Sequence, residues 1–150
     1  MMNQPVMTPL DALQTALAAE HAALHVYGTL GARTSLSETP VLYADVSTAY
    51  ADHRARRDLL TARVRDHGGE PVAAQAAYEL LAPLDTPDAV TRAALEIERR
   101  CESTYAWVVE QTSGADRRLA VSSLRVAAVR ALAFRGSPEI FPGLAKYTDR

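Results

Sequence analysis

A leucine stripe broken by one carboxylate constrains this chain more than any other feature. Leu10, Leu13, Leu17, Leu24 and Tyr27 recur at alternating steps of three and four residues, and Glu20 occupies the position that completes the stripe. This spacing makes one apolar face of a helix, the face that a helical bundle buries. A carboxylate on that face must bind a metal, pair with a cation or stay protonated, because an uncompensated charge in an apolar interior is too costly. A second stripe, Tyr43, Val46, Tyr50, His53, Leu60 and Val64, carries a histidine. A third, running through Cys101 and Tyr105, carries Glu98. Carboxylates and a histidine projecting inward from separate helices are the means by which bundles build metal centres.

Start and stop signals divide the chain into four helices within one domain, residues 1–150. Thr8-Pro9-Leu10-Asp11 places a capping hydroxyl, an N1 proline and a first-turn acid in order, and Thr86-Pro87-Asp88 repeats the arrangement. Pro40 opens another helix, and Gly68-Gly69 closes it in the manner of glycines that adopt the left-handed conformation. The helices are expected at about 8–33, 39–67, 86–112 and 115–135, followed by a tail, 136–150. In that tail Phe141-Pro142-Gly143-Leu144 reads as a turn whose apolar residues cover one end of the bundle.

Connection lengths then set the topology. The turns between helices 1 and 2 and between helices 3 and 4 are short, so each joins antiparallel neighbours. The segment from Gly69 to Asp85 is long and carries Pro71 and Pro83. Fully extended it reaches ~55 Å, against ~38 Å for a helix of about 25 residues. It can therefore cross the whole bundle and leave helices 2 and 3 parallel, although Ala73 to Leu81 is also compatible with a short helix. The expected fold is all-α, a four-helix bundle with a long crossover between helices 2 and 3.

The polar residues of the core fall short of a dinuclear site. Such a site takes one carboxylate from each of two helices and a Glu-x-x-His pair from each of the other two, so that hard oxygen donors neutralise the ions. Here helix 1 offers Glu20, helix 2 offers Tyr50-x-x-His53 with tyrosine in the carboxylate position, and helix 3 offers Glu98, with Glu102 four residues on. Helix 4 has neither Glu nor His; Arg125 and Arg130 are the charged groups of its central part. Glu20, His53 and Glu98 could hold a single metal ion with waters. The stronger reading is a satisfied polar layer in which they share hydrogen bonds with Tyr50, Tyr105 and an arginine such as Arg57. A small-molecule pocket is the third alternative.

The remaining signals favour plain structural roles. His21 and His25 lie one turn apart and are read as solvated or interface histidines ahead of a surface ion site. Arg54, Arg56, Arg57, Arg63 and Arg65 alternate with Asp52, Asp58 and Asp66, which suits a solvated salt-bridged face better than an anion site. His67 suits a helix C-terminus. Cys101, the lone cysteine, excludes an intrachain disulfide and reads as an inert core residue, while Trp107 reads as half-exposed. A net charge of −2 indicates neither nucleic acid nor a membrane surface as the main partner. The N-terminal MMNQPVMTPL lacks the pattern of a secretory signal, so the cytoplasm is the expected location.

Leu17-Ala18-Ala19-Glu20-His21-Ala22-Ala23, Tyr27-Gly28-x-x-Gly31-Ala32 and Ala51-x-His53-Arg54-Ala55-Arg56-Arg57-Asp58 together resemble the actinobacterial ferritin-like domain family of unknown function. Leu95-x-x-Glu98 with Tyr105, and Phe141-Pro142-Gly143-Leu144, are similar too, so the resemblance spans nearly the whole chain. It implies a ferritin-like four-helix bundle with a long crossover. Ferritin-like di-iron proteins oxidise or store iron or activate oxygen, but their ligand motif carries over only at Glu20, His53 and Glu98. The expectation is therefore an uncharacterised bundle with an incomplete di-metal ligand set, non-catalytic and structural or associative, with no cofactor and a homodimer as its assembly. The alternatives are an iron- or manganese-dependent oxidoreductase with a reduced site, and a small-molecule binder using the polar layer.

Overall fold

The computed structural model describes residues 6–80 and 82–135. Capping side chains, prolines and glycines mark the helix ends. Thr8 forms a capping box before α1 (Pro9–Gly31): Asp11 N–H donates to Thr8 Oγ1 at 3.2 Å, and Thr8 N–H donates to Asp11 Oδ2 at 2.9 Å. Thr86 caps α3 (Pro87–Gln111) by accepting from Ala89 N–H at 3.1 Å. Pro40 is the first residue of α2 (Pro40–Asp66), and Gly68, at φ 76°, ends that helix in the left-handed region. Gly114, at φ 56°, turns the chain into α4 (Gly114–Arg135). Among the described residues the regular structure is helical, and the chain is an all-α four-helix bundle.

Paired residues fix the helix directions. Gly31 approaches Val46 while Leu10 lies beside Val64, so α1 and α2 are antiparallel. Tyr27 meets Glu98 and Tyr105 meets Glu20, so α1 and α3 are also antiparallel. α2 and α3 consequently run parallel. The segment joining them lies along α1. Gln14 donates to the Glu70 carbonyl at 2.5 Å and accepts from Val72 N–H at 2.9 Å, His21 bonds the Val72 carbonyl at 3.0 Å, and the His25 and Tyr78 rings lie 5.2 Å apart. His21 and His25 thus pin the crossover to α1. Residues 70–80 and 82–85 contain no helix. The Phe141–Leu144 turn lies outside the described residues.

The core sits between α1 and its neighbours α2 and α3, and α4 packs on α3. Leu13, Leu17, Tyr27 and Leu30 from α1 meet Val46, Leu60 and Val64 from α2 and Tyr105 and Val108 from α3, all buried. α4 contributes small residues, Ala120, Ser123, Ala127 and Ala131, closed by Phe134, which lets its backbone approach α3 closely. The inward face of α2 differs from the expected stripe: Tyr43 and Tyr50 stand on the surface, and Ala49 and Arg56 take the inward positions. The 3.6-residue turn allows either neighbour to face inward, and packing against α1 selects the smaller Ala49. α2 and α4 touch little and leave an open seam between them.

Candidate functional site, a buried charge layer

The middle of the bundle holds a layer of charged and hydrogen-bonding side chains from four helices. His53 Nδ1 lies 2.5 Å from Glu20 Oε2 and its Nε2 lies 3.0 Å from Glu98 Oε1, so the imidazole bridges the two carboxylates. All three side chains are fully buried. The Tyr105 hydroxyl and Arg56 Nη1 (3.4 Å) donate to Glu20 Oε1, while the Tyr27 hydroxyl donates to Glu98 Oε1 at 2.5 Å. From α4, Arg130 places Nη1 3.7 Å from Glu98 Oε1 and pairs with Asp52 through Nη2. The Tyr27 ring stacks on His53 at 5.2 Å, and Arg56 lies over the Tyr105 ring at 5.7 Å. With His53 protonated, three carboxylates (Glu20, Glu98, Asp52) face three cations (His53, Arg56, Arg130), and these six groups are electrically neutral together.

Burial and pairing act in opposite directions on these groups. Burial opposes ionisation of Glu20, but His53, Arg56 and Tyr105 outweigh it and hold the carboxyl below its ordinary range. Burial likewise opposes the charge on His53, and the hydrogen bonds to Glu20 and Glu98 outweigh it, raising the imidazole above its ordinary value. Burial, then the adjoining carboxylate, pushes the Tyr27 and Tyr105 hydroxyls upward, so both remain donors. Burial also raises the Cys101 thiol, with Glu20 and Glu98 adding to the effect, which makes it an inert core residue.

Glu20, His53, Glu98 and Tyr105 therefore meet at one point, as the stripes require. Two expected members stand outside. Tyr50 is 40% exposed because α2 turns Ala49 inward. Arg57 lies on the flank of α2 and donates to Asp58 from Nε and Nη2 at 2.9 and 2.7 Å; Arg56, one residue earlier, turns inward in its place. Tyr27 was legible as a stripe residue but not as a hydrogen-bond donor to Glu98. Glu102 is buried one turn beyond Glu98. The sequence offers Arg125 and Arg130 alike as the charged groups of central α4, and the fold brings Arg130 to the layer.

A metal ion fits this arrangement poorly. Both His53 nitrogens and both Glu20 oxygens are engaged with other side chains of the layer, and Glu98 Oε2 is its one carboxylate oxygen, among these two glutamates, without a hydrogen-bond partner. Among the described residues no group of three or more His, Cys, Asp or Glu side chains converges as a metal site does.

A second ion cluster closes the end of the bundle where α2 finishes and α4 begins. Arg63 donates to Asp116 Oδ1 from Nε (2.9 Å) and Nη2 (2.6 Å), and His67 Nε2 lies 2.7 Å from Asp116 Oδ2. Burial opposes the Asp116 charge, but Arg63 and His67 outweigh it and lower its carboxyl pKa. The alternation of charges along α2 suits a solvated face for Arg63, but its Nε and Nη2 share one oxygen of Asp116 from α4, 53 residues away.

The fold and its centre define a class: a four-helix bundle with a fully buried carboxylate–imidazole–carboxylate bridge. Residues 12–146 match the family model described as "Domain of unknown function (DUF4439)", and the chain belongs to that family. The crystal structure of a conserved hypothetical protein, rv2844, from Mycobacterium tuberculosis is similar, with 30% sequence identity, 83% of this chain and 92% of that chain covered, and a TM-score of 0.76. No curated protein matches the chain. Among the described residues no helix is long and apolar enough to cross a membrane.

Proposed function

We propose that this protein is a non-catalytic bundle on a ferritin-like frame that has lost its metal centre and works by association, with a homodimer as its assembly. The observation that carries this reading is that His53 spends both ring nitrogens on Glu20 and Glu98. Catalytic metal sites keep an open position and ligands whose lone pairs converge on it. Here Arg56 and Arg130 supply the positive charge that a metal would otherwise bring. A buried layer of this kind favours one register of four helices over others, because any slip would leave a charge unpaired.

The test is metal content. The protein is expressed with iron and manganese supplied, purified without chelator and measured for metal per chain by mass spectrometry. A ratio near zero, unchanged by Glu20→Gln, is expected. A stoichiometric ratio abolished by His53→Ala would overturn the reading and place a reduced metal site at Glu20, His53 and Glu98.

A further inference from the structure

α4 carries two stripes, and one of them is left uncovered by the described residues. The first, Ala120, Ser123, Ala127, Ala131 and Phe134, is buried. The second, Leu119, Ser122, Val126, Val129 and Ala133, follows three- and four-residue steps along the adjacent face and lines the seam with α2. The opposite wall of the seam repeats the same steps on α2: Asp45, Thr48, Asp52, Ala55 and Leu59. Two adjoining hollows, of about 600 and 380 Å³, share Asp52, Ser122 and Val126 and form one groove between these walls. Val129 is 69% exposed, Leu59 49% and Val126 36%. Two facing stripes at heptad spacing form the row of holes into which another helix inserts its side chains, and a helix apolar on two faces is normally covered on both.

The charges select the occupant. The acids lining the groove, Asp45 and Asp52, come from α2, and its exposed base, Arg125, comes from α4. We propose that the groove is the interface with a second copy of this chain, related by a two-fold axis along the groove so that α2 of each copy lies over α4 of the other. α2 and α4 are antiparallel within one chain, since Asp52 pairs with Arg130 and Arg63 pairs with Asp116. The axis therefore sets α2 of one copy beside α4 of the other at the same height, so that the wall carrying Asp45 and Asp52 in each copy faces the wall carrying Arg125 and Arg130 in the other. Such an isologous contact is self-complementary in both shape and charge. This assignment rests on the associative reading above and names its partner and surface.

The experiment measures the mass of the full-length protein in solution by sedimentation across micromolar concentrations. The wild type is expected to be dimeric. Val129→Glu, at a surface position that leaves the bundle core untouched, is expected to raise the dimer Kd by roughly 30-fold or more, as loss of a central interface residue does. Val121→Glu, 40% exposed but outside the groove, is expected to leave the dimer intact. Mixing Thr48→Cys protein with Val129→Cys protein under mild oxidation is expected to give a disulfide-linked heterodimer, a signature of α2 lying over the partner's α4. A monomeric wild type overturns the assignment, and so does a dimer unaffected by Val129→Glu. Residues 136–150, which follow directly on the groove's end at Phe134, are the rival occupant, and a monomer whose tail becomes protease-sensitive on Val129→Glu would assign the groove to them. Metal content is unaffected by either result, so failure here and failure of the metal-free reading of the core are separable.

Discussion

Replacing Glu20 by glutamine changes one charge and almost no volume, so it isolates the electrostatics of the layer. Glu20 accepts from His53 Nδ1, the Tyr105 hydroxyl and Arg56 Nη1 in a site with no exposure to solvent. The amide keeps one acceptor oxygen, but its NH2 group must then face a donor, and the charge that raised His53 and balanced Arg56 is gone. Removing one partner of a buried ion pair costs about 3–5 kcal/mol, because the other charge is left uncompensated. For a chain of this size each kcal/mol lowers Tm by roughly 2–4 °C, so Tm should fall by roughly 6–20 °C. Glu96→Gln is the control. Glu96 pairs with Arg100 in the open, both about half exposed, and surface pairs of that kind contribute about 0–1 kcal/mol. The assay is urea and thermal unfolding followed by circular dichroism at pH 6. A Glu20→Gln protein no less stable than Glu96→Gln would refute the reasoning, because it would mean that the buried carboxylate carries no uncompensated partner when removed.

Further predictions concern pH, packing and reactivity. Glu20, lowered in the fold, contributes stability that is complete above its ordinary value of 4.5 and is lost as pH falls through the depressed folded value. His53, raised in the fold, contributes stability that is complete below its ordinary value of 6.5 and is lost as pH rises through the elevated folded value. The layer should therefore contribute most between pH 4.5 and 6.5, and urea midpoints that keep rising through neutral pH in the wild type but not in a His53→Gln variant would contradict this. Ala127→Leu should destabilise by about 1–3 kcal/mol, since the buried stripe of α4 has no room for a branched side chain, and a neutral effect in chemical unfolding would show that α4 packs loosely on α3. Cys101 should resist an aromatic disulfide reagent in the native protein and react at the rate of global unfolding; prompt labelling would show that α3 is not sealed against α1.

Local chemistry determined where the helices begin and which groups lie inside. Thr8 and Thr86 each precede a proline, and the hydroxyl meets the early amide N–H groups as their order in the chain dictates. Glu20, His53 and Glu98 interrupt apolar stripes, and any packing that buries those stripes buries the three polar residues with them. The length of the segment between α2 and α3 allowed the parallel arrangement that His21, His25 and Gln14 secure by holding that segment against α1.

Which charges complete the layer was decided by tertiary structure alone. Arg56 and Arg57 are adjacent and chemically identical, and a rotation of α2 of about 100° per residue separates inside from outside. That rotation is set by Ala49 and Val46 packing on α1, so Arg56 reaches Glu20 and Arg57 does not. The same rotation carries Tyr50 to the surface. Arg130 joins because α4 packs on α3 beside Glu98, an adjacency of residues 32 positions apart that no helical period encodes. Periodicity reports which face of a helix is buried; only the docking of helices reports which long side chains from different helices end within reach of one another.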